Sequence, residues 1–142
     1  MRRAFLLLAC LAVLCCGRGD PLRVPIEGCI RAVEKKSPED IPRFLTADYR
    51  DQEGWGRAEV EAFVKRYLMG YDSLKIDLSK LTIEKGEGVA RAQFRAELSG
   101  TPKNVPGLEG FLPRSSKYDF LVMLAQEKDG WKISSARWTP AP

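Results

Sequence analysis

In a chain without a single histidine, proton transfer would fall to a carboxylate helped by tyrosine, and the candidate pair is Asp51 with Tyr49. A carboxylate whose pKa is raised by burial makes a competent base, and a phenol beside it can hydrogen-bond to the reacting group. Tyr67 and Tyr118 could turn further hydroxyls inward. Trp55 sits in a glycine-flanked loop, where packing demands are weak and an aromatic ring can serve a ligand instead. The same residues also have a structural reading. Ala47-Asp48-Tyr49-Arg50-Asp51 reads as a solvated turn with the tyrosine packed over it as a lid. Phe94 and Trp138 could also line an apolar pocket, but large side chains such as Phe94 read as core, because a small domain must bury much of its apolar surface. Lacking histidine, the sequence lacks the usual near-neutral acid/base and the commonest metal ligand, and no metal or cofactor is expected.

Cysteine is the other reactive residue type, and three of the four cysteines stand near the amino terminus: Cys10, Cys15 and Cys16. Arg2 and Arg3 precede an uncharged apolar run from Ala4 to Cys16. That run is shorter than the roughly 20 residues a bilayer span needs, and it has the pattern of a secretory signal peptide. Val13-Leu14-Cys15-Cys16-Gly17 resembles the lipobox of bacterial lipoproteins, in which a cysteine becomes the lipidated first residue. The resemblance implies lipidation of Cys16, although Cys15 stands where such boxes hold Gly, Ala or Ser. Cleavage after a small residue such as Gly17 is the alternative. Residues 1–16 are thus read as a signal, 17–24 as a tether and 25–139 as one domain. The expected location is the cell envelope, on a membrane facing the periplasm or outer surface, or free in the periplasm or medium without the lipid. Cys29 then has no disulfide partner if Cys16 is lipidated and could bridge to Cys16 if it is not, and its place on an apolar helical stripe reads as a buried, inert thiol.

The chain carries 23 Lys plus Arg against 19 Asp plus Glu, a formal +4. Arg2 and Arg3 belong to the signal, so 21 basic against 19 acidic residues leave +2 in the remainder. The basic residues are scattered among acidic ones without a phosphate-binding stripe, so nucleic acid is not an expected partner.

The elements that must position these residues divide the domain in two. Ile26, Cys29, Ile30 and Val33 recur at helical spacing, and Ser37-Pro38-Glu39-Asp40 reads as the capped start of a short second helix that Pro42 limits. Asp51 to Gly56 reads as a turn. Val60, Phe63, Val64, Tyr67 and Leu68 form the clearest helical stripe, closed by Gly70. Beyond Tyr71 the period becomes two. Leu74, Ile76 and Leu78 alternate with polar residues, and Leu81 and Ile83 resume after a phase slip that predicts a bulge. Ala90, Ala92, Phe94, Ala96 and Leu98 share one face of the next strand, with Arg91, Gln93, Arg95 and Glu97 on the other. After a Gly/Pro-rich loop from Ser99 to Ser115, the run Tyr118–Ala125 is apolar on both faces and reads as a central strand. Lys128-Asp129-Gly130 then turns a hairpin into Trp131–Trp138.

Helices followed by a strand meander predict an α+β domain with three N-terminal helices packed on a curved antiparallel sheet. "KKSPEDIPRFLTADYRD", "GRAEVEAFVKRYL", "VARAQFRAEL" and the closing "FLVMLAQEKDGWKISSARW" together resemble the NTF2-like (SnoaL-like, cystatin-like) superfamily, over about Pro21 to Thr139. The resemblance implies a cone with a pocket at its open end, near which Tyr49 and Asp51 would lie. It also implies that a homodimer could form through the outer sheet face, where Arg91, Gln93 and Arg95 stand, with a simple solvated face as the default reading. Enzymes, carriers and interaction domains share this fold, so it leaves function open. Two readings remain. The favoured one is non-catalytic binding of a small apolar ligand, in a pocket drawing on Tyr49, Asp51, Trp55, Tyr67 and Tyr118, or of a protein partner. The other is a small metal-free lyase or isomerase using Asp51 and tyrosines. A cavity with Asp51 facing inward would favour catalysis, and a cone filled by side chains would exclude it.

Overall fold

The computed structural model describes residues 19–104, 106 and 112–142. The expected signal, Cys16 and part of the Gly/Pro-rich loop lie outside the described residues. Leu22, within the expected tether, is already buried in the core, and its N–H is held by Asp20 Oδ1 at 3.0 Å.

Helix α1 spans Val24–Glu34, with Pro25 in its first turn, where a missing N–H costs nothing. It ends on Lys36, whose φ of 55° is left-handed. Lys36 N–H donates to the Val33 carbonyl and Ser37 N–H to that of Ala32, at 3.1 and 2.8 Å, which closes the helix in a Schellman arrangement. Lys36 Nζ in turn donates to the Tyr71 carbonyl at 2.6 Å, a bond that a glycine at this position could not make.

The second helix is a 3-10 helix, Pro38–Phe44, and Ser37 makes no side-chain capping bond to it. The segment after it departs from the sequence reading. Leu45–Asp51 is not a turn but strand β1. It pairs in parallel with the last strand, β5 (Gly130–Pro140), through Leu45 opposite Ile133 and Asp51 opposite Ala136. The helix α2, Arg57–Leu68, comes only after β1. Among the described residues the fold therefore has two α-helices and a 3-10 helix rather than three N-terminal helices, and its sheet is mixed rather than antiparallel throughout.

Strands β2 (Tyr71–Lys85), β3 (Val89–Pro102) and β4 (Ser115–Glu127) form the meander with β5. The sheet order is β1-β5-β4-β3-β2, so β4 is central, as its two-sided apolarity predicts. The predicted bulge lies where the β2–β3 register shifts between Ser79 and Thr82, at Lys80 with φ 55°. Ala90, Ala92 and Ala96 are buried on the inner face, together with Val122, Leu124 and Ile133. Both helices and the 3-10 helix close over that face. Among the described residues no helix is long and apolar enough to cross a membrane.

Candidate functional site

The inner sheet face and the helices do not pack into full contact. They leave a cavity of about 580 Å³. Tyr49, Asp51, Trp55, Tyr67 and Tyr118, the five residues singled out from sequence, all line it. Two rows of aromatic rings form its walls. On the helical side Trp55 lies 5.0 Å from Phe63 between ring centroids and Phe63 lies 6.1 Å from Tyr67; behind them, outside the lining, Tyr71 of β2 lies 5.1 Å from Tyr67. On the sheet side Phe120 is the hub: Phe94 stacks on it at 5.2 Å, Trp138 lies 6.1 Å away, and Tyr118 meets it edge-on at 6.4 Å.

The polar groups are few and their partners are identifiable. Asp51 closes the turn after β1, with Oδ1 accepting the N–H of Glu53 at 2.9 Å and of Trp55 at 3.1 Å. This pins the Trp55 backbone and hence the start of one aromatic row. Among the described residues Asp51 Oδ2 receives only the Tyr49 hydroxyl, at a long 3.4 Å. Tyr49 itself is buried, and burial followed by the Asp51 carboxylate pushes its pKa upward, so it stays a neutral donor. Burial also raises the pKa of Tyr67, helped by its contact with Tyr71. Tyr71 donates its one hydroxyl proton to the Pro113 carbonyl at 2.8 Å, so Tyr67 must be the donor in their 3.3 Å contact. Cys29 also lines the cavity, and burial pushes its thiol up to about 12. That suppresses the thiolate, although Cys29 is half-buried rather than buried because it faces the cavity.

Several lining residues were not marked by the sequence. Glu53 carries no signal beyond its place in the turn. Phe120 was hidden by a strand that looks apolar on both faces, whereas Trp138, weighed from sequence as pocket lining or core, lines the cavity, and Phe94 belongs to both core and cavity wall. Among the described residues no group of His, Cys, Asp and Glu is placed to hold a metal ion. On the opposite sheet face Arg95 is paired with Asp119 at 2.8 Å and Arg91 with Glu84 at 2.6 Å, so both arginines there are matched by neighbours.

No family model matches the chain, and neither does any curated protein sequence. Solved structures do resemble it. A candidate scytalone dehydratase from Novosphingobium aromaticivorans superposes with a TM-score of 0.74 at 10% identity, over 86% of this chain and 83% of the other. A candidate dehydratase of the NTF2-like family from Streptomyces avermitilis gives 0.71 at 13% identity, over 86% and 95%. Bd1075 of Bdellovibrio bacteriovorus gives 0.66 at 14% identity over 82% of this chain, which spans 38% of that protein's length. At these identities the likeness defines the fold: an α+β domain of the NTF2-like, cystatin-like kind.

Proposed function

We propose that this domain binds a small apolar ligand in the cavity without transforming it. The unfilled space of about 580 Å³ between two aromatic rows carries this reading, since such concave apolar sites with a few placed polar groups are what small ligands occupy. In this proposal the domain works in the cell envelope, exported by residues 1–16 and held on the membrane by a lipid on Cys16.

A second reading is a lyase or isomerase, as the names of two structural neighbours suggest for those proteins. The specific observation in its favour is that Asp51 and Tyr49 meet in the cavity wall. Against it, Asp51 Oδ1 is occupied by its own turn.

The test is titration with N-phenyl-1-naphthylamine, a neutral apolar fluorophore. Saturable one-to-one enhancement is expected. Ala96→Phe, which places a ring inside the cavity, should weaken it by about tenfold or more while circular dichroism stays native. Absence of binding, or binding indifferent to a folded Ala96→Phe, overturns the reading.

A further inference from the structure

The cavity is electrostatically one-sided. Its ionisable lining consists of two carboxylates, Asp51 and Glu53, with Cys29 and three tyrosines, and among the described residues no lysine or arginine lines it. The adjacent cation, Arg50, does not compensate. Its guanidinium donates to the Tyr49 carbonyl at 3.0 Å and packs against Gly56.

The acceptor capacity is also uneven. Asp51 Oδ1 is filled by two N–H groups, but among the described residues Oδ2 holds only the 3.4 Å contact from Tyr49, well beyond the usual ~2.7 Å for a hydroxyl donor. The carboxylate of Glu53 is exposed beside it in the same turn and has no hydrogen-bond or ion-pair partner among the described residues. Trp55 and Phe63, with ring centroids 5.0 Å apart, line the same cavity as both carboxylates. A π-face attracts a positive charge and a carboxylate completes its neutralisation, whereas an anionic ligand would meet two like charges and no counter-ion.

Resting on the reading that the cavity binds a small ligand, we infer that the ligand is an organic cation: an aromatic or alicyclic body seated between the two aromatic rows, carrying one protonated amine directed at Asp51 and Glu53. The aromatic walls hold the body, and the carboxylates select the charge.

Three probes sharing one body separate the contributions: 2-naphthylmethylamine, 2-naphthylmethanol and 2-naphthoate, titrated near neutral pH by calorimetry. The amine should bind about tenfold more tightly than the alcohol, and the carboxylate more weakly than either. The double variant Asp51→Asn, Glu53→Gln should bring the amine-to-alcohol affinity ratio close to one. Asparagine keeps an oxygen for the two N–H groups of the turn, so the loop retains its cap. If the alcohol matches or exceeds the amine, or the ratio survives the double variant, the charge selection is overturned and apolar binding stands. If none of the three binds and the neutral fluorophore also fails, the underlying reading falls with it.

Discussion

Phe44, the last residue of the 3-10 helix, lays its ring directly on the backbone of Gly28 in the middle of α1. A Cβ at position 28 would stand within 2.5 Å of Phe44 Cε1. Alanine normally stabilises a helix interior over glycine by ~1 kcal/mol, but here the ring occupies the space. Gly28→Ala should therefore destabilise the domain by ~1–3 kcal/mol, the usual cost of overpacking. Adding Phe44→Leu should recover part of that loss. Urea midpoints of the single and double variants check both.

The Tyr67–Tyr71–Pro113 chain predicts unequal effects from equal deletions. Tyr71→Phe removes the donor to the Pro113 carbonyl and the acceptor for Tyr67, two bonds of 2.8 and 3.3 Å, and should cost ~1–2 kcal/mol. Tyr67→Phe removes only the longer bond and should cost less than ~1 kcal/mol. A double-mutant cycle in urea should show the two coupled.

Stability should fall with alkali, and Cys29 should set where the fall begins. In the unfolded chain its thiol ionises near the ordinary 9.0, while burial in the fold raises it to about 12. The folded state thus keeps the proton longer. Stability is complete below about pH 9 and is lost as the pH climbs toward 12, with a slope of up to ~1.4 kcal/mol per pH unit. Tyr49 and Tyr67, raised from 10.0, add loss of the same sign higher up. Cys29→Ala should flatten the stability curve between about pH 9 and about pH 10, measured by denaturant titration against the parent.

Asp51 should matter first as a loop cap. Asp51→Ala frees the N–H groups of Glu53 and Trp55 and should cost ~1–2 kcal/mol, with faster amide exchange at Trp55. Asp51→Asn should keep most of the protection.

Cys16→Ala should abolish incorporation of labelled palmitate and release the domain from the membrane fraction. Label that persists in the variant refutes Cys16 as the acceptor.

The features legible in the sequence were those that a local period encodes. The stripe from Val60 to Leu68 gave α2, the alternation around Phe94 gave β3, and the phase slip before Leu81 marked the irregularity at Lys80. β1 was missed because Leu45–Asp51 has no clean alternation. Leu45, Thr46 and Tyr49 are buried while Ala47 and Asp48 are exposed, and the strand's partner lies at the far end of the chain. The cavity was legible only as a set of candidates. Whether Phe94 and Tyr118 fill the interior or merely line it depends on how far α2 stands from the sheet, a distance that no local pattern records.

The parallel pairing of β1 with β5 also sets an order of events in time. The N–H of Trp138 is held by Gln52 Oε1 at 2.9 Å across 86 positions of sequence, and Leu45 waits for Ile133. A chain emerging amino-terminus first from a ribosome carries β1 without a sheet edge to receive it until its final strand appears. Contacts of such separation form late. The meander β2–β3–β4 pairs only neighbouring segments, so the last seam of the sheet to close is the one between the two ends of the chain.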